Sequence, residues 1–516
     1  MNSATTGRGN CPLLIVQVDV PQEENTGDYY YRAYAPGVGM ARCESVYTLN
    51  LTNVHRMKHK LMELADVLIL NNICDADILP IVKERKKQGK LTVYELADDL
   101  ADMPASNPRK EFYNQAKNLL LVRRFANYCD AVQFSSHELR RKYGYLNKVS
   151  VVFPNNILAM PSRREDEFPE PLVVGWGGSF GHFEDMKRVS APLMDWVLSR
   201  SDVRLHLMCA APIRELFERL PEERVKWFAP GSLEDYYRFV SSLHIGIAPL
   251  EDTPFNRSRS DVKFLEYAAH GVVPILQATG PYVLSVKDGE TGFLYRSLEE
   301  LISILDKLAG EPSMRIEAAR GAREYVQSER DQLRRGGDRV EFYRELLSGA
   351  VGNHAQRVFE ECCKLAGAQM CGRNLFLGST RFELLLINGL MLLGKGPACW
   401  EMFREAMAME PTSYMPCLFG AGVSDDPVGF LEKAVRNNPR SIVSWLSLAW
   451  EWGRKSDSGR AMQCFKTAAD LFPEYEQPYI ECANYLNGIG MTAEAMSLLK
   501  VAVSVIPEAI KSIRPS

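Results

Sequence analysis

The sequence predicts an α/β plus all-α protein: two parallel-sheet units facing a cleft, followed by a helical superhelix. Three observations lead there. Over about the first 350 residues, short β-rich runs alternate with helical segments, as in a parallel sheet covered on both faces. A polar, proline-bearing stretch, NNILAMPSRREDEFPEP, interrupts the alternation near residue 160, after which it restarts. Beyond residue 350 helical periodicity takes over, with prolines at a fixed spacing. The resulting boundaries are 1–157, 158–349 and 350–516, in keeping with the about three domains expected of 516 residues.

The strands of the first unit read as LLIVQVDV (13–20), SVYTLNL (45–51), DVLILNN (66–72), LTVYEL (91–96), AVQFSS (131–136) and VSVVFP (149–154). Those of the second read as LVVGWGG (172–178), VRLHLMC (203–209), VKWFAP (225–230), HIGIAPL (244–250) and VVPILQ (272–277). In the helical third, Pro439, Pro473 and Pro507 stand 34 residues apart (473 − 439 = 34; 507 − 473 = 34). Ahead of Pro473, the residues Trp445, Leu448, Ala449, Trp452, Ala461, Phe465 and Ala468 follow the large and small alternation of a tetratricopeptide repeat. Tyr479, Cys482, Ala483, Leu486, Ala495, Leu499 and Ala502 repeat it before Pro507. Small residues let two antiparallel helices approach, and proline ends the second. Leu386, Leu390, Phe403 and Ala406 fit an earlier unit ending at Pro411; the unit between is only 28 residues long (439 − 411 = 28) and degenerate.

A net charge of −4, with 46% hydrophobic and 24% charged residues, is ordinary for soluble globular protein and argues against a general nucleic-acid binder. The 12 cysteines follow no disulfide or zinc-finger framework, the nearest cluster being Cys362, Cys363 and Cys371. Reduced, mostly buried thiols in a cytoplasmic protein are expected. No run approaches the roughly 18 apolar residues of a membrane span, and no basic region precedes CPLLIVQVDV, so neither a transmembrane segment nor a signal peptide is expected. KERKKQGK (83–90) could make a weak peripheral contact with an anionic membrane, although a solvated helix end explains it more simply.

Two stretches carry candidate chemistry. In LVVGWGGSFGHFEDM a strand runs into Gly175, Gly177, Gly178 and Gly181, which would let backbone N–H groups approach a phosphate or sugar. Phe180 takes the third glycine position of a dinucleotide fingerprint, so nicotinamide binding is not indicated. A tight turn would equally explain these glycines. In FNRSRSDVKFLEYAAHGVVPIL, Arg257, Arg259 and Lys263 surround a helix start that Ser260 or Asp261 can cap. Free N–H groups and the dipole at that end favour a diphosphate, and Glu266, one turn in, can accept hydrogen bonds from paired hydroxyls such as those of a ribose. A capped amphipathic helix with a solvated first turn is the plain alternative.

FNRSRSDVKFLEYAAHGVVPIL followed by GPYVLSVKDGETGFLY resembles the donor-site region of the retaining nucleotide-sugar glycosyltransferases of the GT-B fold, the glycosyl transferase group 1 (family 4-like) enzymes. There a strand, a helix-start loop, a glutamate-bearing helix, a small-residue turn and a hairpin succeed one another. VGWGGSFGH is similar to the first strand and glycine turn of that domain. YYYRAYAPGVGMA, VYELADDL, DAVQFSSHELRRKYG and VVFPNNI are similar to segments of the partner domain, so the resemblance covers about residues 10 to 345.

This resemblance implies two Rossmann-like domains, the second holding a nucleoside-diphosphate sugar and the first the acceptor. By position, Glu266 would bind the ribose hydroxyls, backbone around Ser260, Asp261 and Val262 would meet the diphosphate, and Gly178 and Ser179 would face it from the other loop. The sequence departs from the pattern at Ser258, where a second glutamate is common, and at His182 and Lys187, where an arginine and a lysine are common. Arg257, Arg259 and Lys263 are read as replacing that charge. Retaining enzymes of this fold are assigned a front-face mechanism in which the donor phosphate takes the acceptor proton. No cofactor or metal is then expected, the protein supplying positioning and electrostatics.

Glu95, Asp98 and Asp99, at the end of the fourth strand, are the catalytic candidates, placed to hydrogen-bond sugar or acceptor hydroxyls. Asp98 and Asp99 could instead cap the following helix. Asp75-Ala76-Asp77 mimics a D-x-D metal motif, but a helix cap explains it; capping or packing also explains His137. The expectation is a cytoplasmic glycosyltransferase whose repeats recruit a protein or peptide acceptor through their groove. Alternatives are a glycan-extending transferase docked to an assembly partner, and a scaffold with a degenerate transferase half. Residues 338–349, DRVEFYRELLSG, can close the two-unit body, so a chain ending near residue 350 should fold by itself.

Overall fold

Runs of apolar residues buried on both faces leave strands no exposed side, and parallel sheets covered by helices satisfy that requirement. In the computed structural model, which describes residues 11–20, 27–105, 107, 109–162, 170–347, 354–366, 372–395 and 397–511, two such sheets form. The first contains β1 (Leu13–Asp19), β2 (Val46–Thr52), β3 (Val67–Asn71), β4 (Leu91–Leu96), β5 (Ala131–Phe134) and β6 (Ser150–Val152), in the order β2-β1-β3-β4-β5-β6. Every pairing is parallel, from Leu13 opposite Val46 to Phe134 opposite Val152.

The second contains β7 (Leu172–Gly177), β8 (Val203–Met208), β9 (Val225–Phe228), β10 (Ile245–Ala248), β11 (Val273–Gln277) and β12 (Phe293–Tyr295), ordered β12-β11-β10-β7-β8-β9. The hairpin implied for the segment after Asp288 is absent: Gly289 donates to Gly292 in a tight turn, and β12 then pairs parallel with β11. In both sheets the strand order reverses beside the first strand, so ligands are expected at the carboxyl ends of β1, β3, β7 and β10.

Two segments cross the boundaries read from the sequence, one at the carboxyl end of the second unit and one at the start of the third. Helix Gln332–Leu346 returns to the first unit and packs on helix Ala35–Met40, where Gly39 and Gly336 approach so closely that a Cβ on either would strike the other helix. Further on, β13 (Asn374–Phe376) adds to the edge of the first sheet, parallel to β2. Helix Ala355–Leu365 covers the same sheet through Val358, Phe359 and Cys362. Chain past residue 350 is thus part of the first unit's core.

Then four antiparallel helix pairs follow: Arg381–Met391 with Ala398–Met409, Met415–Ala421 with Pro427–Asn437, Ile442–Arg454 with Ser458–Leu471, and Gln477–Gly488 with Thr492–Val505. This is a helical repeat. Pro411, Pro439, Pro473 and Pro507 each follow the second helix of a pair, and Leu448, Ala449, Ala461, Phe465, Ala468, Cys482, Ala483, Leu486, Ala495 and Ala502 are buried between helices. The pair within the 28-residue interval has a first helix of only 7 residues.

The repeat does not stand apart from the sheets. Ile442, Ala468, Phe472 and Tyr475 share one apolar cluster with Leu79, Val82 and Phe125 of the first unit. Asp77 accepts from Ser441 Oγ at 2.8 Å and from the Val443 N–H at 2.9 Å, capping a repeat helix from outside it. Asp75 accepts from the Asp77 N–H and pairs with Lys58 at 3.1 Å. In the basic run 83–90, Lys83 pairs with Glu474, Lys86 with Asp130, Lys87 with Glu84, and Lys90 reaches the Glu63 carbonyl. Arg85 is buried on the carbonyls of Met62, Ala65 and Leu91. No described helix is long and apolar enough to cross a membrane. The described cysteines form no disulfide with one another, and Cys371 lies outside the described residues.

Candidate functional site

One helix dominates the cleft between the sheets. From the end of β10 a short helix, Pro254–Ser258, leads to helix Val262–Ala269. The latter buries Phe264, Leu265, Tyr267, Ala268 and Ala269 and stops before Gly271, whose φ of 69° suits a residue without Cβ. Tyr267 fits because Gly246 on β10 leaves room: a Cβ there would sit 2.6 Å from the ring. On the other side of the helix, Lys263 and Glu266 line a cavity of about 690 Å³ between the two units. Gly178, Ser179, His182, Arg259, Ser260 and Asp98 line it too, so three distant segments meet there.

Glu266 is 3% exposed and fully engaged. Tyr31 Oη donates to its Oε1 at 3.1 Å, Tyr236 Oη to its Oε2 at 2.9 Å, and Lys263 Nζ lies 3.7 Å from Oε2. Lys263 also donates to Tyr236 Oη at 2.7 Å. Burial lowers the Lys263 pKa; Glu266 opposes the shift and Arg259 adds to it.

The helix start itself has no side-chain cap. Asp261, expected to provide one, instead binds Arg330 through both oxygens, at 2.6 and 3.0 Å, and accepts from Ser285 at 2.5 Å. Ser260 Oγ accepts from Asn155 at 3.0 Å, so it is no cap either. The first N–H groups therefore remain oriented for an anion. Arg257 does not join them: it pairs with Asp252 at 2.6 Å and lines a separate cavity of about 730 Å³ with Asp261 and Arg330. Lys187 is also outside, exposed beside Glu184. His182 Nδ1 lies 2.8 Å from Asp185; burial first, then Arg259, lowers its pKa to about 4, so it carries no charge near neutrality.

The glycine turn serves packing more than expected. The Gly178 N–H donates to the Met208 carbonyl at 3.0 Å and is not available to a phosphate. A Cβ on Gly178 would sit 2.6 Å from the Trp176 ring, and one on Gly177 2.7 Å from Phe239. Ser179 and Phe180 are the exposed residues of this turn.

Of the three catalytic candidates, only Asp98 faces the cavity. Glu95 is 0% exposed, held by Arg32 Nε at 2.7 Å and by Gln133. Asp99 is 1% exposed and accepts from Lys142 Nζ at 2.8 Å, Tyr143 and Ser258. Each is a carboxylate taken out of water that requires its own cation, which removes it from ligand contact. Neither Asp98 nor Asp99 caps a helix, since the next begins at Lys110. Burial, followed by Asp28, raises the Asp98 pKa to about 6, against the pull of Arg259 and Arg109.

Sequence reasoning missed Tyr31, Tyr236, Asp28, Arg109 and Asn155. Asn155 ties the units together, donating to Ser260 and accepting from Arg32 Nη1 at 2.7 Å. The YYYRAY run was the available signal for Tyr31: it forms a π-helical turn, Tyr30–Tyr34, a geometry frequent at functional sites.

No family model matches the chain, and no curated protein matches it. Solved structures do. Sucrose-phosphate synthase from Thermosynechococcus elongatus is 15% identical over 65% of this chain and 99% of that one, with a TM-score of 0.48. Anabaena HepE in complex with UDP-glucose is 14% identical over 64% of this chain and 100% of its own, TM-score 0.47. A glycosyltransferase from Rickettsia africae is 13% identical over 66% and 100%, TM-score 0.47. Similarity this slight says nothing of ligands, and the fold rests on the strand orders above.

Proposed function

We propose that the protein is a glycosyltransferase that moves a sugar from a nucleoside-diphosphate sugar to an acceptor, with retention of configuration. The observation that carries this reading is the pairing of Lys263 and Glu266 beside an uncapped helix start in one interdomain cavity. Lys263, Arg259 and the helix N–H groups neutralise a diphosphate. Glu266 accepts from the two ribose hydroxyls. Asp98 faces the same space from the first unit, where it orients an acceptor or sugar hydroxyl. A front-face substitution, in which the donor phosphate takes the acceptor proton, needs no second carboxylate, in keeping with the engagement of Glu95 and Asp99 in ion pairs. The repeats are read as tetratricopeptide units that recruit a protein acceptor.

Donor binding is tested by melting the protein with a panel of nucleotide sugars. A specific rise in Tm for one of them, lost in Glu266→Ala, is expected; removing one engaged partner should weaken binding by about 2 kcal/mol. Unchanged Tm with every nucleotide sugar refutes the donor site. Transfer to a protein rather than to a glycan is then read from the acceptor labelled by the donor so found.

A further inference from the structure

We infer that Tyr31 competes with the donor for Glu266, so that a residue of the first unit sets how tightly the second unit holds its nucleotide; this rests on the donor reading above. Both oxygens of Glu266 are already occupied by hydroxyl donors, Tyr31 at 3.1 Å and Tyr236 at 2.9 Å. A vicinal diol offers the same pair of donors to the same pair of oxygens. The carboxylate is 3% exposed, so a diol that reaches Oε1 takes the place that Tyr31 holds, while Oε2 can keep Tyr236 and accept a second donor.

The two tyrosines are not equivalent. Tyr236 lies on helix Leu233–Ser241 of the same unit as Glu266, and Lys263 donates to its hydroxyl. Tyr31 comes from the π-helical turn of the opposite unit and crosses the cleft to reach the carboxylate. Its hydroxyl also lies 2.9 Å from Tyr237 Oη. Displacement from Glu266 therefore leaves Tyr31 with a partner, and no buried hydroxyl is stranded. Tyr31 is the hydroxyl that a ribose replaces, and its release removes one bond holding the two units together. Without ligand the carboxylate is masked, and the apparent affinity is reduced by the fraction of molecules in that state.

The test is calorimetric titration of UDP, GDP and ADP in turn into the full-length protein and its Tyr31→Phe variant, each first shown to melt cooperatively. The nucleotide that binds should bind about fivefold tighter to Tyr31→Phe, because one competing hydrogen bond is gone. A merely structural tyrosine would weaken binding when changed, so the sign decides. In a Glu266→Ala background the same substitution should change affinity less than twofold, there being no acceptor left to compete for. Equal or weaker binding by folded Tyr31→Phe overturns the competition and leaves the donor site standing. No binding of any of the three to either protein removes the donor reading, and the competition with it.

Discussion

Arg124 and Glu476 form an ion pair at 2.6 Å with both side chains 2% exposed, joining helix Ala116–Tyr128 of the first unit to the start of a repeat helix. Removing either partner leaves a buried charge alone. Arg124→Ala or Glu476→Ala should each cost about 3–5 kcal/mol in urea unfolding, and Arg124→Met with Glu476→Leu together should recover most of it. Losses below 1 kcal/mol in the single variants would mean that the repeat docks elsewhere.

Truncation after residue 350 should abolish cooperative folding. It removes β13 from the sheet edge, helix Ala355–Leu365 from the sheet face, and Phe472 and Tyr475 from the shared core. That reverses the expectation drawn from the sequence, where the closing helix near residue 345 looked like a natural end. A soluble, cooperatively melting 1–350 fragment would contradict it.

Asp77→Asn should lower the Tm without altering any dependence on metal ions. Asp77 accepts from Ser441 Oγ and the Val443 N–H, and burial followed by Asp75 raises its pKa to about 6. Transfer, once a donor is found, should persist in excess chelator, since Lys263, Arg259 and the helix start supply positive charge. Loss of transfer restored by manganese would return the Asp75 and Asp77 pair to metal binding.

Asp98 gives a pH signature. Its folded pKa, about 6, lies above the ordinary value of 3.8, so the folded protein binds the proton more tightly than the unfolded chain does. Its contribution to stability is therefore greatest below about pH 4 and is lost as pH rises to about 6. Compared with wild type, Asp98→Asn should gain relative stability over that interval and plateau above it. Transfer that uses the ionised carboxylate should rise through the same range; a difference in Tm that is flat between pH 4 and 6.5 would refute the shift.

The fold was largely legible because its strands are short apolar runs with definite ends. LTVYEL became β4 at residues 91–96 as read, and the other ten anticipated strands formed within one or two residues at each end. β12 and β13 were missed, being 3-residue strands whose pairing depends on a preformed neighbour rather than on their own pattern. Lys263 and Glu266 were legible for a similar reason: one helix turn fixes them on a common side, whatever the rest of the chain does.

By itself the sequence determined two parallel-sheet units, a helical repeat paced by proline, and a helix start carrying a cation and a carboxylate into a cleft. Those features depend on local periodicity, which each segment carries within itself. Tertiary structure alone decided that Glu95 and Asp99 are sequestered while Asp98 is not, that Asp261 holds Arg330 and leaves the helix uncapped, and that Tyr31 reaches Glu266 across 235 residues of sequence. It also decided that the repeat is anchored through Arg124 and Asp77. A buried charge takes whichever partner the fold brings within about 3 Å, and that choice lies in the packing of distant segments rather than in the residues flanking it.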